Sequence, residues 1–66
     1  MKIIINGEDR ETQESITLLA LLKELSLEDK VMAAALNMEI VKQDSWDKTQ
    51  LKEGDKLELL DFVGGG

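Results

Sequence analysis

Sixty-six residues with fourteen acidic against eight basic side chains, a formal charge of −6, make one small domain near the lower size at which a chain folds without staples. The chain has no cysteine and no histidine, which excludes disulfides, thiolate and imidazole metal sites, iron-sulfur clusters, cysteine nucleophiles and the usual general base. The acidic balance has the wrong sign for a phosphate backbone or an anionic membrane surface and suits a basic protein partner, so neither nucleic acid nor membrane is expected as a partner.

Residues 1–7, Met-Lys-Ile-Ile-Ile-Asn-Gly, hold only three consecutive large apolar side chains, far short of a signal-peptide core, and the chain is expected in the cytosol. Residues 2–5 are β-branched and read as a strand. Asn6-Gly7 tolerates two positive φ angles, and residues 8–12 follow as a polar second strand, so the chain opens on a hairpin. Charges at Glu8, Asp9, Arg10 and Glu11 suit a sheet edge that must resist pairing with other chains.

Thr17 precedes Leu18, Leu21, Leu22 and Leu25, spaced i, i+3, i+4, i+7, which predicts one helix of about two to three turns with an inward leucine stripe and Thr17 as its cap. The stretch 16–27 is broken by Lys23 and Glu24 and is too short to cross a bilayer. Residues 30–36, Lys-Val-Met-Ala-Ala-Ala-Leu, fit either helix or buried strand; strand is assigned, with the alanines attributed to close approach of the helix over this part of the sheet. Asn37-Met38-Glu39 turns the chain and Ile40-Val41 returns as a brief strand. Residues 43–50 form a polar loop around Trp46, a core lid or loop anchor, with Ser45 able to cap a short helical turn. Leu51 anchors this loop, Glu53-Gly54-Asp55 turns again, and residues 56–62 form the last strand.

The order strand, strand, helix, strand, short strand, last strand predicts an α+β domain. Its mixed sheet of four to five strands carries one main helix on one face, with the first and last strands parallel in the middle. Alternation sets Leu57 and Leu59 on one face and Glu58, Leu60 and Phe62 on the other; in the first strand Met1, Ile3 and Ile5 share a face opposite Lys2 and Ile4. If the helix covers Ile3, Ile5, Leu57 and Leu59, then Ile4, Leu60 and Phe62 form an uncovered apolar cluster, a candidate interaction surface. Residues 1–63 are assigned to this domain, and Gly64, Gly65 and Gly66 to a flexible tail that is all backbone and one carboxylate. A strip without Cβ atoms can enter a channel too narrow for other residues. A partner gripping Phe62 would have the end within about 10 to 14 Å.

Asn6-Gly7, the helix from Thr17 to Leu25, Ala33-Ala34-Ala35-Leu36-Asn37, Glu39-Ile40-Val41, Trp46, Leu51, Gly54-Asp55 and the final Gly65-Gly66 together resemble the ThiS family of thiamine-pathway sulfur carriers, over the whole chain. The resemblance implies the ubiquitin-like β-grasp fold and a Gly66 carboxylate that a ThiF-like enzyme adenylates with Mg-ATP and that becomes a thiocarboxylate. A sulfur donor protein supplies the sulfur, which then passes to a ThiG-like thiazole synthase. It implies a carrier with no catalytic side chain, no metal and no bound cofactor, monomeric when alone. Gly64 and Gly65 keep the passage clear, and Ile4, Leu60 and Phe62 dock partners. Two departures stand out: Lys42-Gln43 follows Ile40-Val41 where many members have Pro-Arg, and Gly64 extends the usual glycine pair. Two neighbouring readings are the small subunit of molybdopterin synthase, which tends to be longer between helix and last strand, and a ubiquitin-like modifier joined to lysines through its last glycine. A plain interaction module with an idle tail is a further class, and an enzyme fits least.

Overall fold

The computed structural model describes residues 1–61, the last strand as far as Asp61 with its main chain only at that residue; the expectations for Phe62, Gly64, Gly65 and Gly66 concern positions outside the described residues. Strand β1 (Lys2–Ile5) and strand β2 (Glu8–Glu11) form the opening hairpin, followed by helix α1 (Leu18–Glu24), strand β3 (Val31–Leu36), strand β4 (Glu39–Val41), a 3-10 helix (Gln43–Lys48) and strand β5 (Lys56–Asp61). The sheet order is β2-β1-β5-β3-β4. β1 lies parallel to β5, and the other neighbouring pairs are antiparallel. This is the mixed sheet expected from the element order, and the β-grasp arrangement that the resemblance implies.

Each junction has a local cause. Asn6 (φ 49°) and Gly7 (φ 85°) both occupy the left-handed region that a tight two-residue hairpin turn requires, and the wholly exposed, charged β2 forms a sheet edge. Thr17 caps α1 as expected, its Oγ1 accepting from the Ala20 amide at 3.1 Å. Leu18, Leu21 and Leu22 are buried beneath the helix, while Leu25 ends it and packs at the margin of the core. Trp46 is 1% exposed and donates Nε1–H to the Val41 carbonyl at 3.0 Å, so it is a core anchor with its one polar atom satisfied. Leu51 is buried with it.

Two expectations need correcting. Residues 43–48 are helical, but Ser45 does not cap them: the cap position is Lys42, without a side-chain bond, and the Ser45 carbonyl instead accepts from Thr49 Oγ1 at 2.8 Å. Ser45 lies inside the turn, where its amide donates to the Lys42 carbonyl and is already used. The close-helix explanation of the alanines fails for Ala33 and Ala35. Ala34 is buried in the core, whereas Ala33 and Ala35 alternate to the other face, opposite Leu60 and Glu58.

A second left-handed turn joins β3 to β4, at Asn37 (φ 50°) and Met38 (φ 73°). The two turn asparagines hold β5 from either side: Asn6 Oδ1 accepts from the Leu59 amide at 2.8 Å, and Asn37 Oδ1 from the Lys56 amide at 3.0 Å. Asn37 Nδ2 also donates to Asp55 Oδ1 at 3.0 Å, and Asp55 Oδ2 accepts from the Lys52 amide at 2.7 Å, closing the turn that feeds β5. The central strand is thus fixed by side chains as well as by its two ladders.

Candidate functional site

Alternation along β5 places Leu57, 1% exposed, beneath α1 and leaves Leu60, 62% exposed, on the face that no helix covers. The registers lay out that open face in rows. Leu60 stands beside Ala33; Glu58 stands beside Ala35, which stands beside Ile40 of β4; Lys56 stands beside Ile4, which stands beside Asp9 of β2. Ile40 is 71% exposed, and a register shift between Val31 and Ala33 leaves Met32 64% exposed next to the Leu60 row.

Ile4 and Leu60 share this face, as the alternation requires, but they do not form one cluster. Ile4 is level with Lys56, four residues before Leu60 and roughly 13 Å away along β5 at ~3.3 Å per residue. It is half-buried in a depression of about 350 Å³ lined also by Gly7, Lys56, Leu57 and Glu58. The cross-strand neighbour of Leu60 is instead Ala33, with the exposed Met32 next to it on β3 and Ile40 in the adjoining row beside Ala35. Sequence reasoning passed over Met32 and Ile40. Alternation within Ile40-Val41 could have exposed Ile40, because Val41 is half-buried and packs on the core.

The other end of the face is charged: Lys2 pairs with Asp9 at 3.8 Å, and the terminal amine lies 3.7 Å from Glu11. The uncovered face therefore has an apolar half toward the end of β5 and an ionic half toward its start. Among the described residues no group of acidic side chains is arranged to hold a metal ion, no side-chain polar atom is buried without a hydrogen bond, and no helix is long and apolar enough to cross a membrane. Such a surface can bind another protein and hold the end of β5 in a fixed direction against it.

A five-stranded β-grasp domain with a central strand running toward a glycine end, beside an exposed apolar face, belongs to the class of ubiquitin-like carriers. The profile of the ThiS family matches residues 3–66. Over its whole length the chain is 33% identical to the crystal structure of the thiamine biosynthesis protein ThiS from Geobacter metallireducens, covering all of both chains with a TM-score of 0.84. It is 32% identical over 63 residues to the sulfur carrier protein ThiS of Bacillus subtilis, covering 94% of this chain and 96% of that one. It is also 44% identical over 66 residues to a thiazole synthase of Paramagnetospirillum magneticum, where it spans 20% of that protein's length. The chain belongs to the ThiS family.

Proposed function

We propose that this chain is a sulfur carrier of thiamine biosynthesis, bearing sulfur on the carboxylate of Gly66 and delivering it for thiazole formation. The observation that carries the proposal is the whole-length similarity to proteins named ThiS, in sequence and in fold. The similarity to one fifth of a thiazole synthase favours the thiamine pathway over the molybdenum-cofactor one, and supports a ThiG-like protein as the acceptor of the sulfur.

The chemistry asks little of this chain's side chains. A carboxylate is a poor electrophile until one oxygen becomes part of a leaving group. In the proposed sequence a Gly66 carboxylate oxygen attacks the α-phosphorus of ATP on a ThiF-like partner, pyrophosphate leaves, and an acyl adenylate forms. Hydrosulfide delivered by a donor protein then attacks the acyl carbon, AMP departs with the original carboxylate oxygen, and loss of the sulfur's proton leaves the thiocarboxylate. The partner supplies the Mg-ATP site, so the carrier itself is a substrate and holds no cofactor. Gly65 and Gly64 serve by lacking Cβ, and Leu60 with Phe62 grips the partner beside the reacting end, Ile4 contributing from the neighbouring depression. The carrier works in the cytosol and is a monomer between partners.

The test is reconstitution with a ThiF-like adenylating enzyme, Mg-ATP and a sulfide source, followed by intact-mass measurement. The expected product has one oxygen replaced by sulfur at the C-terminus, and no pyrophosphate exchange and no mass change would contradict the assignment. Gly65→Val is expected to bind the enzyme yet fail to become thiocarboxylated, and full conversion of that variant would remove the narrow passage from the account.

A further inference from the structure

The two turns that flank β5 are built alike and differ in how their asparagines are held. Asn6-Gly7 and Asn37-Met38 each place both residues in the left-handed region, and each asparagine accepts a β5 amide on its Oδ1. Asn37 is tied at both ends of its carboxamide, its Oδ1 accepting from the Lys56 amide and its Nδ2 donating to Asp55 Oδ1 at 3.0 Å. Among the described residues Asn6 has the Leu59 amide on Oδ1 and nothing on Nδ2.

The residue after each asparagine differs as well. Met38 puts a Cβ and a long side chain beside its own amide nitrogen, and Gly7 has neither. A Cβ added at Gly7 would meet no atom within 4 Å, and Asn6 and Gly7 are both exposed, so water reaches this peptide bond freely. Among the described residues the Gly7 amide donates to no backbone carbonyl. An unshielded amide nitrogen thus stands next in the chain to a carboxamide whose leaving nitrogen is untied.

We propose that Asn6 is a self-modification site, converted by its own neighbour Gly7, and that the conversion undoes the hold of the first hairpin on β5. The Gly7 amide nitrogen gives its proton to hydroxide and bonds to Asn6 Cγ. The Cγ–Nδ2 bond breaks, Nδ2 leaves as ammonia after taking a proton from water, and a cyclic imide closes across the two residues. Water then opens the ring at either carbonyl. Opening at Cγ leaves aspartate; opening at the main-chain carbonyl leaves isoaspartate, with the chain rerouted through Cβ and Cγ. One water replaces one ammonia, with no oxidant, reductant or partner protein. Isoaspartate lengthens a turn whose length sets the register of the hairpin, and it displaces the oxygen that holds Leu59. The aged chain ties its central strand through Asn37 alone.

The experiment incubates the whole chain for weeks in mildly alkaline buffer at physiological temperature, maps its peptides by mass spectrometry and labels isoaspartate with an isoaspartyl methyltransferase. Asn6 is expected to convert progressively to isoaspartate and aspartate while Asn37 stays intact. In the isoaspartyl fraction, hydrogen exchange read by NMR is expected to be about three- to tenfold faster at the Leu59 amide and within about twofold of the fresh protein at the Lys56 amide. An intact Asn6, or equal conversion of both asparagines, overturns the proposed site. Unchanged exchange at Leu59, or equal acceleration at Lys56, overturns the proposed release of β5.

Discussion

Leu57 and Leu60 lie three residues apart on one strand, and their surroundings differ completely. Leu57 belongs to a buried apolar core that includes Ile3, Ile5, Trp46 and Leu18, Leu21 and Leu22 of α1. Leu60 stands in water beside Ala33, and Ile40 and Met32 are comparably bare. In a domain this small one helix can cover one face of the sheet, and the apolar area on the second face is available for binding.

Substitutions that separate the two faces test this division. Leu57→Ala should cost about 2–5 kcal/mol of stability, enough to unfold much of so small a domain, as read by urea denaturation. A loss under about 1 kcal/mol would mean that the covered face is not the core. Leu60→Ala should leave the urea midpoint within about 0.5 kcal/mol of wild type while weakening binding to the adenylating partner by about 1–3 kcal/mol in calorimetry. Equal loss on both axes would erase the distinction between the faces.

Smaller effects concern how β5 is held. Asn37→Ala removes the side-chain bonds to the Lys56 amide and to Asp55 and puts a less tolerant residue at φ 50°, so a loss of about 1–2 kcal/mol is expected by the same denaturation assay. Met38 occupies a left-handed position, φ 73°, with its side chain 91% exposed, so Met38→Gly should gain about 0.5–1 kcal/mol. A destabilised Met38→Gly would show that the methionine packs in a way its exposure does not indicate.

The parts of this fold that sequence made legible are those with strong local signals. Thr17 before a 3.6-residue leucine stripe located the helix and its cap, Asn6-Gly7 located the first hairpin, and two-residue alternation in β5 separated Leu57 from Leu60. Where such a signal was missing, the reading slipped. Three consecutive alanines carry no alternation of size or polarity, so their faces could not be told apart, and the register shift at Met32 breaks the period of two just before them. Asn37-Met38 lacks the glycine that marks a left-handed turn, and the asparagine bonds to β5 join residues 19 and 53 positions apart, which no local pattern reveals. The candidate site was half legible for the same reason. Leu60 and Ile4 share one face, as alternation indicates, but only the strand registers show that Ala33, rather than Ile4, stands beside Leu60.

The central claim is that a rigid β5 presents a glycine end whose carboxylate carries sulfur. It is tested most directly by the intact mass of the chain isolated from cells making thiamine. The account predicts a fraction of molecules with one oxygen replaced by sulfur at Gly66, lost on treatment that hydrolyses thioacids. A population bearing only the carboxylate under those conditions, or Gly66 joined to lysines of other proteins, would contradict it.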